Sequence, residues 1–495
     1  MKYIILKSHL LHKFSLAILI LSLISCGGGG TGGGADPKEN IESNSGKLDS
    51  QFSGGGFVLF NSGFKVFNDD SGNAVKLDTS GRILVTGYTH NALGNFDIIL
   101  ARFTSNGEID TTFGVDHRIM GVRDGIKDGF SVYDSATGDF RSDEGFDLLL
   151  DSFGRILVVG HLANGGPTGD MFILRYSADG IPDTSFGING VVIHNSAAQG
   201  NADDVAHDVA IDRNNRIVVV GRSTNTSGNY DMTVWRYLPD GDIDTDFGID
   251  YDADEIKDGI YIHNNAAGGD GSDSAAAVVI DKNDRILVTG SSKGTGTPVN
   301  FGDDDLILWG LTDTGILDST FGADYDNDGN IDGYFKYGSL TSYDTSSDII
   351  LDSSGNIIVV GSSYSADSNY DVTLFSFTNN GTLNTSFGVD YDSDGTRDGF
   401  VKNVVAGDQV ARTVKIDTNG KLVIAGWVGL YEMAIWRYES NGDIDISFAN
   451  NGISLPSRGR AHDMEIDVNG KFVLVGANPT GGNAAFDLAL WRVLP

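Results

Sequence analysis

Cysteine is nearly absent from this chain. Cys26 is the only one in 495 residues, so no intrachain disulfide can form. Proline is scarce, at 8. Positive charge is short: 34 Lys and Arg stand against 68 Asp and Glu, a formal net charge of −34. A surface that acidic repels phosphate backbones and argues against a nucleic-acid partner. No segment sustains a 3.6-residue period over three turns, which argues against helices. The apolar run Phe14 to Ile24 is about eleven residues, too short to span a bilayer as a stable helix. There is no His-Glu-x-x-His, no Gly-x-Ser-x-Gly, no phosphate-cradling glycine loop and no basic aromatic patch.

The N-terminus accounts for the one cysteine. Lys2, Lys7 and Lys13 form a basic region ahead of the apolar run, which ends Leu23-Ile24-Ser25-Cys26. This resembles a bacterial lipoprotein lipobox. The resemblance implies a signal peptide over 1–25, cleavage before Cys26, and diacylglycerol with acyl chains such as palmitate on its sulfur. Gly27 in place of Asp favours the outer membrane or cell surface under the enterobacterial sorting rule. Residues 26–46 are Gly-, Ser- and acid-rich and read as a flexible tether.

What the chain has in abundance is a repeated phrase, and 67 glycines to turn it. It reads Asp-x-x-Gly-Arg-Ile-Leu-Val-x-Gly, then Asp-Φ-x-Leu-x-Arg-Φ, then Gly-x-Ile-Asp-x-Ser-Phe-Gly. The Phe of the last block falls at Phe52, Phe113, Phe186, Phe247, Phe321, Phe387 and Phe448; the Gly closing the first falls at Gly87, Gly160, Gly221, Gly290, Gly361, Gly426 and Gly476. Seven copies at a period of roughly 60–70 residues mean a repeat architecture. Each copy carries four short strand candidates rich in β-branched residues, with a hairpin-sized turn such as Thr79-Ser80-Gly81 between the first two. A lone four-stranded sheet cannot bury both faces, whereas a ring of them can. The expectation is an all-β, seven-bladed propeller over 47–495; the rival β-helix has a shorter repeat. The phrasing resembles the delta-60 repeat family, with matches such as Asp281 to Gly290, Asp231 to Tyr237 and Gly180 to Gly187. That resemblance implies a propeller and no particular reaction. The chain ends on a third-type strand, Asp487 to Val493, while Gly56 to Phe60 is a fourth-type strand with no blade before it. The two ends are expected to complete one blade and close the ring.

The repeated Asp at the first strand's end (Asp78, Asp151, Asp212, Asp281, Asp352, Asp417, Asp467) reads as a turn former, because a catalytic residue is not needed seven times. The acid opening the third strand (Asp97 and its counterparts) and the Arg five later (Arg102, Arg175, Arg236, Arg437, Arg492) are expected to pair as scaffold. His194 and His263 sit at equivalent fourth-strand places and suggest alternation, not ligation. No catalytic residue is assigned.

One chemical signal stands apart from the scaffold. Three consecutive copies insert an acidic loop after Phe-Gly. The clearest carries Asp324, Asp326, Asp328, Asn330 and Asp332 around Gly329; a second carries Asp390, Asp392, Asp394, Thr396 and Asp398 around Gly395. The third carries Asp250, Asp252, Asp254, Ile256 and Asp258, with Glu255 where the others have Gly. Carboxylates at positions 1, 3, 5 and 9, a carbonyl at 7 and Gly at 6 are spacings that wrap oxygens around Ca²⁺. The loops are similar to the nine-residue Ca²⁺ loops of integrin-type propellers and lack the Glu of an EF-hand. A fourth loop keeps only its second half, Asp124 to Gly129, and counting back from Gly125 puts Met120 and Val122 at positions 1 and 3, so no ion is expected there.

The sequence therefore points to a monomeric, lipid-anchored envelope protein with structural Ca²⁺. Its expected role is non-enzymatic binding or scaffolding toward a protein or glycan. The alternative is a hydrolase or lyase acting on extracellular polysaccharide. A catalyst should gather non-repeated polar groups in a central funnel; a binding module should offer a broad, loop-rich face.

Overall fold

A computed structural model of the chain describes residues 44–61, 69–91, 94–117, 125–134, 142–163, 168–294, 304–338, 343–364, 369–403, 407–480 and 485–495. The leader, Cys26, most of the tether, Met120 and Val122 lie outside the described residues. There is no helix among the described residues, and seven four-stranded antiparallel sheets form a seven-bladed β-propeller. Blade 1 consists of Ser71–Leu77, Ile83–His90, Phe96–Phe103 and Phe130–Tyr133, from the axis outward. Blades 2 to 6 repeat this order, with inner strands Glu144–Leu150, Gln199–Ile211, Gly268–Ile280, Asp344–Leu351 and Gln409–Ile416. Blade 7 takes Arg460–Ile466, Phe472–Thr480 and Ala485–Val493 from the C-terminus and Phe57–Phe60 from the N-terminus, with Phe57 opposite Trp491 and Phe60 opposite Leu488. The unmatched end strands thus close the ring as expected.

Seven hydrophobic clusters fill the seven seams between neighbouring blades. Each second strand is a short apolar run, Ile83-Leu84-Val85 in blade 1, buried on both faces. The repeated phrase encodes the seams. Phe113 is fully buried, with the Arg102 guanidinium 4.4 Å above its ring. Its other side meets Gly180 of the next blade, where a Cβ would lie 2.5 Å from the ring. Phe52, Phe186, Phe247 and Phe448 sit likewise under Arg492, Arg175, Arg236 and Arg437. Each such contact contributes about 0.5–2 kcal/mol.

The partner of these arginines is not the acid that opens the third strand. Arg102, Arg175, Arg236 and Arg437 each donate Nε–H to the Asp of the Ile-Asp-x-Ser-Phe-Gly block, at Asp110, Asp183, Asp244 and Asp445, over 2.7–2.8 Å. Arg492 does the same with Asp49 at 2.8 Å. Arg102 also reaches the Ala178 carbonyl of the next blade at 2.7 Å, so one guanidinium ties ring, acid and neighbour together. Asp97, by contrast, accepts from Asn91 Nδ2 at 2.7 Å, and burial followed by the nearby Asp134 pushes its pKa up to about 7. The strand-ending Asp residues do form turns: Asp78 Oδ1 accepts from Ser80 and Arg82 backbone N–H at 2.8 and 2.9 Å.

Candidate functional site: the axis of the ring

Every inner strand carries a β-bulge at the same place, one residue long. The bulged residues are Asn73, Phe146, His207, Ala276, Ser347, Arg412 and His462. The bulge drives the carbonyl two residues earlier against the second strand. That is why the Val-x-Gly glycine recurs: a Cβ on Gly87, Gly221 or Gly476 would lie 2.0, 1.9 or 1.8 Å from the Ser71, Val205 or Arg460 carbonyl oxygen. The repeated glycine permits the bulge, and the bulge aims a non-repeated side chain at the axis.

All seven bulged residues line one central cavity of about 440 Å³ except that Phe146 and His207 also border a second of about 260 Å³. Below the bulge, Asp147, Asp208, Asp348 and Asp463 latch neighbouring inner strands. Asp208, Asp348 and Asp463 accept from backbone N–H of Val278, Val414 and Val75 at 2.7, 2.8 and 2.9 Å, and Asp147 accepts from Val209 at 3.3 Å. Burial, then the neighbouring Asp147, hold Asp208 well above the usual carboxylate range. Deeper still, Glu465 lies 3.1 Å from Lys76 and 3.8 Å from Lys415. Against the opposing effect of burial, those two lysines hold Asp463 below its ordinary value.

His207 donates Nδ1–H to the Ala275 carbonyl at 2.6 Å, and His462 to the Gly72 carbonyl at 3.0 Å. In each case this fixes the tautomer and leaves Nε2 as the acceptor. Burial lowers both pKa values to about 4, so both imidazoles are neutral near pH 7. Ser71 Oγ approaches His462 Nδ1 at 3.4 Å, but Ser71 is buried and cannot meet a ligand as a nucleophile. His194 and His263 stand apart, in fourth strands, against Tyr237 and Trp309.

The three acidic loops follow the third strands of blades 3, 4 and 5, at the face where the inner strands end. The central bulges and the second cavity lie towards the opposite face, where the inner strands begin. In each loop position 9 accepts from the N–H of position 2: Asp258 from Tyr251, Asp332 from Tyr325 and Asp398 from Tyr391, at 2.8, 2.7 and 2.7 Å. Position 1 accepts from the N–H of position 6 at 2.9–3.0 Å. Carboxylate oxygens of Asp250, Asp252 and Asp254, of Asp324, Asp326 and Asp328, and of Asp390, Asp392 and Asp398 lie within 4.8 Å of one another. The remaining expected positions, Asn330, Thr396 and Ile256, give backbone N–H to the Asp two before them. Glu255 adopts φ +74°, matching Gly329 at +94° and Gly395 at +92°, so the loop keeps its shape at a cost of about 1–2 kcal/mol. The fourth motif begins earlier in the chain than counting back from Gly125 implies. Asp116 accepts from Gly125 N–H at 3.0 Å and Asp128 from His117 N–H at 2.6 Å, so Asp116 holds position 1. Counting forward from Phe113-Gly114 would have found it.

Sequence reading missed the axial residues because it searched for clusters in the chain. The signal was the position five before each strand-ending Asp, where seven copies hold six different residue types.

Five stretches, residues 79–113, 154–186, 213–247, 353–387 and 418–448, match the family described as "Domain of unknown function (DUF5122) beta-propeller". Each runs from the inner hairpin to the seam phenylalanine. No curated protein matches the chain. Among solved structures it is similar to the polysaccharide lyase Uly1, at 9% identity over 92% of this chain and 98% of that one, TM-score 0.44. It is similar to a PL25 ulvan lyase, at 11% identity over 88% and 96%, TM-score 0.42. It is also similar to the gluconolactonase XC5397 from Xanthomonas campestris, at 12% identity over 70% and 84%, TM-score 0.32.

Proposed function

We propose that this is a delta-60-type, lipid-anchored propeller that binds a glycan on its axis without cleaving it. The supporting observation is the set of seven bulges, which places the variable residues of an otherwise repeated ring around one polar cavity of about 440 Å³. That size suits one or two sugar units and excludes a protein surface. Phe146 and Tyr88 supply flat apolar faces; Asn73, Ser347, Arg412 and the two imidazoles supply hydrogen bonds. Binding is favoured over cleavage because four of the five carboxylates lining the cavity, Asp147, Asp208, Asp348 and Asp463, accept from backbone N–H groups and the lysines are spent on Glu465; the fifth, Glu144, is held above its ordinary value by burial. The three loops bind Ca²⁺ in this reading and stiffen the far face, and Cys26 carries the acyl anchor. Glycan-array binding by the full chain tests the axial site: Phe146→Ala and Arg412→Ser should abolish binding without changing the melting temperature. Unaltered binding in both variants would refute it.

A second reading, a polysaccharide hydrolase or lyase, draws support from the non-repeated funnel itself, the arrangement expected of a catalyst. Neutral His207 and His462 present Nε2 as a base, and burial with the neighbouring Asp147 raises Asp208 towards the range of an acid. Release of new reducing ends from a bound polysaccharide, lost in His207→Gln, would favour it.

A further inference from the structure

We propose that the smaller cavity, between blades 2 and 3, receives an anionic substituent, carboxylate or sulfate, of the axial glycan, with Arg222 and His161 as the recognising groups. This deepens the axial reading and rests on it. The cavity measures about 260 Å³ and is bordered by Phe146, His161, Asp203, His207 and Arg222. It shares Phe146 and His207 with the central cavity, so one ligand can occupy both. Arg222 Nε and His161 Nδ1 are buried there with no hydrogen-bond partner. Buried polar groups left unpaired are costly, and a ligand reaching this cavity would relieve both at once. The Arg222 guanidinium carbon sits over the Tyr230 ring, 4.3 Å from its centroid, a cation–π contact that holds the side chain in place while its Nε–H stays unpaired.

The distribution of arginine across the ring points the same way. Arg82, Arg102, Arg155, Arg175, Arg213, Arg216, Arg236, Arg285, Arg397, Arg437 and Arg492 are ion-paired, and all stand at the face where the inner strands end. Among the described residues, the arginines without an ion pair are Arg222, Arg412, Arg458 and Arg460, and all lie on the inner strands' starting half. In a chain of net charge −34, acids could easily have neutralised them. Their cationic character is kept open on one face only. Asp203 also borders the cavity, with Oδ1 accepting from Gly169 N–H at 2.9 Å; its other oxygen can accept a sugar hydroxyl.

The test titrates the full chain, by calorimetry, with tetragalacturonate, a sulfated carrageenan tetrasaccharide and neutral cellotetraose. The expected result is tighter binding of one acidic oligosaccharide than of cellotetraose. Arg222→Gln should lower that affinity about tenfold or more while changing the neutral ligand less than about twofold. Arg222→Lys should recover only part of the loss, and Phe146→Ala should weaken all ligands alike. Equal affinity for acidic and neutral oligosaccharides, or equal loss of both in Arg222→Gln, overturns the anion site and leaves the axial reading standing. Binding of none of the three overturns both. Binding of the uronate or of the sulfate alone identifies which anion the cavity takes.

Discussion

Closure of the ring can be tested within a single four-residue strand. Phe57–Phe60 alternates in burial: Phe57 and Leu59 are 39% and 42% exposed, while Val58 and Phe60 face the seam between blades 7 and 1. Phe60 meets Phe103 edge-on, with centroids 5.5 Å apart, and Phe130 at 5.6 Å. Burying a Phe side chain contributes about 1.5–3 kcal/mol and each edge-to-face pair about 0.5–1.5 kcal/mol. Allowing for partial exposure, Phe60→Ala should cost about 2–4 kcal/mol. Leu59→Ala removes a half-exposed side chain from the same backbone and should cost less than about 1 kcal/mol. Both leave the pairing with Ala485–Val493 in place, so the difference isolates the seam. Denaturant unfolding followed by tryptophan fluorescence reads it, since Trp491 is buried in the same blade. Equal midpoints for the two variants would refute the idea that this strand seals the ring by packing across blades.

Further outcomes follow from the same geometry. Gly221→Ala places a Cβ 1.9 Å from the Val205 carbonyl, so the bulge at His207 must flatten; a loss of about 1–3 kcal/mol and weaker ligand binding are expected, and an unchanged melting temperature would contradict the account of the repeated glycine. Calorimetry should show millimolar or tighter Ca²⁺ binding, with a gain of about 2.7 kcal/mol at a hundredfold excess over Kd; Asp326→Asn and Asp392→Asn should each reduce the gain in melting temperature, and no heat and no effect of chelator would leave ordinary acidic turns. His462 and His207 are held neutral, with folded values below the free one, so their contribution is present near neutral pH and lost as pH falls from about 6.5 through about 4. His462→Gln should blunt the acid-side loss of stability, and ring-proton NMR should find no titration of His462 above about pH 5. Cys26→Ala should abolish acyl labelling and release the chain from the membrane fraction; release of the unsubstituted chain to the same extent would exclude the anchor.

The seven copies, the four strands in each, the closing pair of end strands and the turn-forming Asp residues were legible in the chain, because they depend on local spacing and on composition that repeats. The place of the acidic loops after the third strands was legible too, since their turn hydrogen bonds are local. The ring decided the rest. Which acid each arginine meets depends on the path of the chain after the third strand, so Arg102 reaches Asp110 and not Asp97. The axial cavity is made from positions spread between Asn73 and His462, which meet only when the last blade packs beside the first. The bulge that turns those positions inward leaves one mark in each copy, a glycine on the neighbouring strand. Periodicity fixes what every blade has in common, and closure brings together the residues in which the blades differ.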